Sequence, residues 1–296
     1  NWNIKEGVYV LKPNKTILNS KFLSYLLSSE NIVKAYRKKI VGSPVCSLPM
    51  RELKKLLIPI PCPNNPEKSL AIQQKIVGIL DTFSELTAEL TAELTAELTA
   101  RKKQYEYYRE QLLTFEEDEV EWKTLGDNTV GKFIRGSGLQ KKDFTNTGVG
   151  CIHYGQIYTY YGTYTDKTKT FVSKEFAQKA RKAKYGDLII ATTSENDEDV
   201  CKAVAWLGNE EIAISSDACF FRHNLNPKYI AYFFKTASFQ KQKQPLITGT
   251  KVRRVNAKDL AKIKIPIPSL EEQARIVSIL DKFDTLTSSI SEGLPR

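Results

Sequence analysis

Residues 76–87 read IVGILDTFSELT, and residues 276–287 read IVSILDKFDTLT. At a shift of 200, Ile76, Val77, Ile79, Leu80, Asp81, Phe83, Leu86 and Thr87 recur as Ile276, Val277, Ile279, Leu280, Asp281, Phe283, Leu286 and Thr287. Just upstream the shift becomes 207. Leu53 through Ile58-Pro59-Ile60-Pro61 answers to Leu260 through Ile265-Pro266-Ile267-Pro268. Farther back, Leu23, Tyr25 and Gly42 answer to Ile230, Tyr232 and Gly249. A repeat of this reach means two copies of one unit and fixes the fold expectation before any single element is read.

Both repeated stretches carry helix signals. From Ser69 to about Glu117 there is no proline and the only glycine is Gly78. Asn65-Pro66 supplies an N-cap followed by proline at the first helical position. Unbroken, such a helix runs about 70 Å. The second helix starts at Ser269, with Glu272 three residues on as a capping box. Its narrow apolar stripe is Ile276, Ile279, Leu280, Phe283 and Leu286, matching Ile76, Ile79, Leu80, Phe83 and Leu86 in the first copy. Beyond the first stripe, residues 87–98 read TAELTAELTAEL. As helix, each four-residue unit adds about 6 Å and overshoots one turn by about 40°. Leu86, Leu90, Leu94 and Leu98 therefore drift around the axis and cannot all face one straight partner. The tandem reads as a measured spacer.

The chain has 296 residues, 41% hydrophobic and 26% charged, an ordinary globular composition with length for roughly two domains. No apolar run approaches the roughly 20 residues of a membrane span, and no signal-peptide pattern occurs, so the expectation is a cytoplasmic protein without a membrane partner. Cys46, Cys62, Cys151, Cys201 and Cys219 are odd in number and widely spaced, which reads as free thiols in a reducing compartment. The net charge of +10 is unevenly placed. Residues 1–65 carry +8, residues 66–120 carry −6, residues 121–268 carry +10 and residues 269–296 carry −2. Basic regions interleaved with aromatics suit a polyanion; the acidic regions are the helical ones.

The duplication is incomplete. Nothing in the first copy answers to 121 to about 217, and the chain starts at Asn1 with Met50 as its only methionine. The expectation is a sequence that begins inside its first domain. Within the second basic region, Gly131 to Arg135, Gly150 to Tyr164, Asp187 to Thr193, Ala203 to Leu207 and Ala218 to Arg222 read as strands, and Tyr229 to Phe239 as a short helix. The fold class is mixed α/β (α+β), with a strand-rich domain on long helices.

Catalytic motifs fall short. Gly126 to Lys132 has the spacing of a phosphate-binding loop, but Phe133 stands where a magnesium-holding Ser or Thr is required. Gly136-Ser137-Gly138 lacks a third glycine and reads as a turn. His153 and His223 alone cannot build a metal cluster. The acidic run Glu195, Asp197, Glu198 and Asp199 reads as a solvated loop rather than a cation site.

DNA-binding features are better represented. Thr248, Thr250, Lys251, Arg253 and Arg254 surround Gly249, a basic turn whose hydroxyls and cations suit phosphates or guanine edges. Arg135, Gln140, Lys141 and Lys142 form a second basic stretch. His153, Tyr154, Gln156 and Tyr158, with Tyr160 and Tyr161, read as a polar-aromatic strand pair suited to a groove; alternate tyrosines are equally expected as core. Thr192, Thr193, Ser194 and Asn196 follow the apolar run Leu188 to Ala191, at a loop tip where readout side chains belong.

TAEL units inside a long helix, an LxxIxIPIP exit followed by an EQxxIVxILD-like helix, and the same exit near the end resemble the specificity subunit of type I restriction-modification systems. The TAEL tandem narrows the resemblance to the type IC subfamily, typified by the EcoR124 and EcoDXX systems. The resemblance implies two target recognition domains joined by two helical regions that pack as an antiparallel coiled coil. Each recognition domain reads half of a split site in double-stranded DNA. It places the tail of a first recognition domain at 1–65, a central spacer helix at 66–118, a complete second recognition domain at 119–268 and a distal helix at 269–296. Two modification subunits would bind this scaffold with S-adenosylmethionine, and restriction subunits would join with ATP and Mg2+. The chain itself would hold no cofactor and no metal and perform no catalysis, and truncated chains of this kind are expected to self-associate. The competing expectations are a coiled-coil adaptor without DNA readout and a free-standing nuclease or ATPase.

Overall fold

A computed structural model describes residues 8–42, 46–116 and 118–293, with side chains described up to 287. The chain divides into two compact units, one ending at Thr95 and the other starting at Ala96. The division falls inside the third TAEL repeat.

Unit 1 contains α1 (Ser20–Ser28), α2 (Glu30–Arg37), α3 (Met50–Leu53) and the start of α4 (Pro66–Leu113). Asn19 caps α1, its side chain accepting from the N–H groups of Lys21 and Phe22. One glutamine then ties this cap to α4. Gln73 is fully buried; its Oε1 accepts from Asn19 N–H (2.8 Å) and its Nε2 donates to the Ile17 carbonyl (2.9 Å). Two turns along, Asp81 accepts from Lys21 Nζ (2.6 Å) and Tyr25 Oη (2.8 Å). The Lys21 ammonium and the Tyr25 hydroxyl hold the Asp81 carboxyl below its usual range. The α4 helix continues through the TAEL tandem. There Thr87, Thr91 and Thr95 each donate to the carbonyl four residues back, all at 2.7 Å. Every unit thus satisfies its own hydroxyl locally. Leu90 is 53% exposed while Leu98 is buried, the drift expected of a four-residue repeat on a 3.6-residue helix.

Unit 2 takes in the end of α4 and a strand-rich body. It runs through β1 (Glu121–Thr124), β2 (Gly131–Arg135), β3 (Phe144–Thr145), β4 (Val149–Ile152), α5 (Tyr154–Thr159), β5 (Tyr164–Thr165) and β6 (Thr170–Val172). Next come α6 (Lys174–Lys179), β7 (Lys182–Ala183), β8 (Leu188–Ala191), β9 (Thr193–Ser194), β10 (Ala203–Trp206), β11 (Ile212–Ile214) and β12 (Ala218–His223). The chain closes with α7 (Pro227–Phe233), α8 (Ala237–Lys243), β13 (Arg253–Arg254), α9 (Ala257–Leu260), β14 (Lys264–Ile267) and α10 (Leu270–Gly293). Two five-stranded sheets form, ordered β2-β12-β8-β10-β5 and β3-β6-β4-β11-β7. Two small ladders, β1-β14 and β13-β9, complete the pairing. Strands β8 and β10 are buried along their whole length, so they read as continuous apolar runs rather than alternating ones. One face of the first sheet packs on α7 and α8 through Tyr229, Tyr232, Phe233 and Phe239, all fully buried. Truncating any of these aromatics to alanine costs about 3–5 kcal/mol.

The polar clamp of unit 1 recurs here through the glutamine Oε1 and the aspartate, while the glutamine Nε2 donates to the Pro268 carbonyl in place of Ile17. Gln273 Oε1 accepts from Asn226 N–H (2.8 Å), and Asn226 caps α7 as Asn19 caps α1. Asp281 accepts from Lys228 Nζ (2.6 Å) and Tyr232 Oη (2.7 Å). The turns match as well. Gly42 (φ 101°) sits beside a Val41–Ser47 bridge, and Gly249 (φ 88°) beside a Thr248–Arg254 bridge. The internal repeat is thus a repeat of specific contacts, extending beyond hydrophobic pattern.

The helical stripe behaves differently in the two copies. In unit 2, Ile276 and Leu280 are fully buried, and Phe283 stacks on Tyr105 and Tyr108 of α4 (ring centroids 6.3 and 5.2 Å). In unit 1, Ile76 and Leu80 are partly buried, whereas Ile79, Phe83 and Leu86 are 58%, 63% and 55% exposed. The expectation of a covered seam fails for those three and for Leu286 of the second copy, 48% exposed, because no described element of the same unit packs over them.

Two expected elements are corrected. The strand predicted over Gly150 to Tyr164 ends at Ile152 and becomes helix α5. The reason is a capping box: His153 Nδ1 accepts from Gly155 N–H, and the Gln156 side chain returns to His153 N–H. The helix predicted over Tyr229 to Phe239 is two helices, because Thr236 caps α8 through the N–H of Phe239.

Candidate nucleic-acid interface

All the candidate readout residues lie in unit 2. Two antiparallel residue pairs decide how they meet. β13 pairs with β9, setting Arg253 opposite Ser194 and Arg254 opposite Thr193. The basic turn at 248–254 is thereby fastened to the segment that leaves β8.

A cavity of about 720 Å³ opens beside this junction. Lys141, His153, Tyr154, Gln156, Tyr158, Thr193, Ser194 and Asn196 line it, with Phe144, Thr159, Lys169, Thr170, Glu195, Asp199 and Val252. A neighbouring cavity of about 280 Å³ is lined by Arg135, Thr192, Thr193, Thr248 and Arg254, and shares Thr193 with the first. Gln140, Lys142, Thr250, Lys251 and Arg253 line neither. Lys142, Thr250 and Lys251 are exposed, each adjacent in the chain to a residue at one of the cavities or of the basic turn.

Several candidates hold the scaffold rather than face a ligand. Gln156 spends Oε1 on His153 N–H (2.9 Å) and Nε2 on Thr170 Oγ1 (3.0 Å). Tyr158 donates to the Thr193 carbonyl (2.7 Å), and burial raises its pKa. Thr192 donates to the Asp217 carbonyl (2.9 Å). Asn196 is turned onto Asp199 through both ends of its amide. Arg253 pairs with Asp197 (2.8 Å) and donates to the Gly249 carbonyl (2.6 Å), so it braces the basic turn. The Gln140 side chain caps the short turn at Lys141–Asp143.

His153 is buried, with its ring 4.6 Å from that of Tyr154 and 6.0 Å from that of Phe144. Burial, followed by the nearby Lys141 charge, lowers its pKa, so the ring is neutral at physiological pH. Since Nδ1 accepts from Gly155, the proton is assigned to Nε2.

Sequence reading missed three contributors. Lys243 is 2% exposed, and its Nζ donates to the carbonyls of Asp197 (2.8 Å), Glu198 (3.1 Å) and Val200 (3.0 Å). It fixes the acidic loop that carries Glu195 and Asn196. Phe144 and Lys169 reach the cavity through the order β3-β6-β4, which no local pattern discloses. The loop spaced like a phosphate cradle is an Asx turn: Asp127 accepts from Thr129 N–H and Oγ1, both at 2.7 Å. A carboxylate thus occupies donors that a phosphate would need. Among the described residues no cluster of His, Cys, Asp and Glu fit for a metal occurs, and no helix is long and apolar enough to cross a membrane.

Comparison with known proteins agrees with this organisation. Residues 1–100 and 117–296 match the family described as the type I restriction modification DNA specificity domain. The gap between the two matches, 101–116, takes in the end of α4 and the residues just after it. The chain is 41% identical over 241 residues to the EcoR124I/EcoR124II specificity subunit of Escherichia coli, covering 81% of this chain and 58% of that protein. It is 36% identical to a type I restriction enzyme specificity subunit of Haemophilus influenzae, covering 95% of this chain and 68% of the relative. With the EcoprrI specificity subunit of Escherichia coli it shares 38% identity, over 92% and 63%. The chain therefore spans under two thirds of the EcoR124 and EcoprrI subunits. Among solved structures, a chain from a type I R-M system studied for complex assembly and conformational transition superposes with TM-score 0.67 at 18% identity, over 96% of this chain and 68% of that one. The HsdS subunit from Thermoanaerobacter tengcongensis gives 0.54 at 17%, over 97% and 67%. With both copies of the repeat matched and several relatives above 30% identity, the chain belongs to the type I restriction-modification DNA specificity family.

Proposed function

We propose that this chain is the non-catalytic DNA-recognition subunit of a type I restriction-modification complex, and that unit 2 reads one half of a bipartite site. The observation that carries this reading is convergence. Basic and polar residues drawn from 135–142, 153–158, 192–196 and 248–254 meet around two adjoining cavities. Exposed Lys142, Lys251 and Arg254 would grip phosphates and supply affinity, while the cavity side chains face base edges. The TAEL tandem and the similarity to the EcoR124 subunit support placement in the type IC subfamily. Two modification subunits, using S-adenosylmethionine, and restriction subunits, using ATP and Mg2+, are the partners this role requires.

The test is DNA affinity of the chain assembled with modification subunits, titrated against salt. Lys142→Ala, Lys251→Ala and Arg254→Ala should each lower affinity alike for all sequences and each reduce the log–log salt slope by about 1. Unchanged affinity and slope in all three would remove this face as the DNA contact.

A further inference from the structure

Four carboxylates, Glu195, Asp197, Glu198 and Asp199, stand in the loop between β9 and β10, beside two cavities lined by Arg135, Lys141, Lys169 and Arg254. Left loose, such a loop would repel a phosphate backbone. One buried cation holds it instead. Lys243 closes α8, a helix anchored by the fully buried Phe239 and capped by Thr236. Its Nζ donates to the carbonyls of Asp197 (2.8 Å), Glu198 (3.1 Å) and Val200 (3.0 Å). Three acceptors take three N–H donors, which an ammonium has and a neutral amine lacks. The lysine is 2% exposed, so this charge is turned onto the protein and away from any ligand.

The loop passes this hold on to both parts of the candidate interface. On one side, Asn196 closes on Asp199 (2.7 and 2.8 Å), and Glu195, Asn196 and Asp199 line the larger cavity. On the other, Asp197 pairs with Arg253 (2.8 Å), whose guanidinium also donates to the Gly249 carbonyl (2.6 Å) in the basic turn. The β9–β13 pairing sets Arg254 opposite Thr193 at the same junction. We infer that Lys243 is a positioning residue for sequence recognition: without touching DNA, it orders the loop 195–200 and, through Asp197 and Arg253, the basic turn 248–254. A readout side chain discriminates bases only when held within about 0.5 Å of its bonding position, whereas phosphate contacts carry no sequence information and tolerate looser geometry. Loss of the ammonium should therefore lower specific binding far more than non-specific binding. The inference rests on the DNA-recognition reading above and names a residue that serves it indirectly.

The experiment uses the chain assembled with its modification subunits, the motif being taken from the methylome of cells carrying the parent. Lys243→Met keeps the buried stem and removes the ammonium. Affinity for a duplex carrying the motif should fall about tenfold, the range of one mismatched base pair, while affinity for an unrelated duplex stays within about twofold. The salt slope on the unrelated duplex should not change, because the phosphate-gripping cations remain. Amide exchange should quicken at 195–200 and 248–254 and stay as it was in β2 and β12. A lysine that served stability alone would leave the ratio of the two affinities untouched. Asp197→Asn covers the case in which Lys243→Met fails to fold. There the carbonyl bonds to Lys243 remain, so only the turn 248–254 should loosen, and the same ratio should fall by a smaller factor. An unchanged ratio in Lys243→Met, or in Asp197→Asn where Lys243→Met does not fold, overturns the inference while DNA recognition stands. Unchanged exchange at 195–200 in a folded Lys243→Met overturns it as well. If the parent complex binds motif and unrelated duplex alike, the recognition reading itself fails, and the inference with it.

Discussion

Replacing Gln273 with alanine tests whether the repeated clamp holds each unit together. Gln273 is 1% exposed, and its amide joins the cap of α7 to the start of α10: Oε1 takes Asn226 N–H at 2.8 Å and Nε2 gives to the Pro268 carbonyl at 2.9 Å. Alanine leaves both backbone groups without a partner. A buried unsatisfied group costs about 1–3 kcal/mol, so the two together cost about 2–6 kcal/mol. Gln273→Met keeps most of the volume and loses the same bonds, so it should lose nearly as much. The assay is urea unfolding followed by tryptophan fluorescence in a Trp2→Phe background, where Trp122 and Trp206 both report unit 2. Gln73→Ala repeats the test in unit 1, read as faster amide exchange along Ser20–Ser28. A loss below about 0.5 kcal/mol for Gln273→Ala would refute the clamp as a stabilising device, because that is the range of ordinary surface substitutions.

Three further outcomes follow from particular residues. Deleting Thr91 to Leu94 removes one self-satisfied unit and shortens the helix by about 6 Å, comparable with two base-pair rises of about 3.4 Å; in an assembled complex the gap between half-sites should shorten while both half-sites stay the same, and altered half-sites would contradict the spacer role. Arg253→Ala should loosen the basic turn, seen as faster exchange at Thr248 and Arg254, whereas Arg254→Ala should leave the turn intact and cut DNA affinity; identical effects of the two would contradict the division of labour. Both ring nitrogens of His223 are buried, and burial depresses its pKa to about 4. The unfolded chain then binds a proton below about pH 6.5 that the folded chain refuses, so stability falls as pH drops from 6.5 toward 4, by up to about 1.4 kcal/mol per unit. In His223→Phe that added slope should vanish relative to the parent, and parallel stability–pH curves would refute it.

The helices and the duplication were legible because they rest on local signals: the proline-free run from Ser69, the Ser269 capping box and the shared ILDxF pattern. Strands β8, β10 and β12 were legible too, since burial on both faces writes itself as unbroken apolar runs. The stretch after Ile152 was not. Tyr158 and Tyr160 alternate as in a strand, but His153 and Gln156 cap a short helix, and that choice depends on side-chain bonds rather than periodicity. At the candidate site, residue types were readable and commitments were not. Nothing in the sequence separates Gln156 and Asn196, whose amides are spent on bonds within the protein, from the neighbouring exposed Lys141. Lys243 was invisible for the same reason, because its three acceptors are backbone carbonyls more than forty residues away.

Unit 2 is proposed to specify one half of a DNA site. Exchanging residues 119–268 for the corresponding region of another family member, in a subunit otherwise unchanged, and sequencing the methylome measures this directly. One half of the methylated motif should take on a new sequence while the other half is retained. A motif unchanged in both halves, with methylation still active, would contradict it.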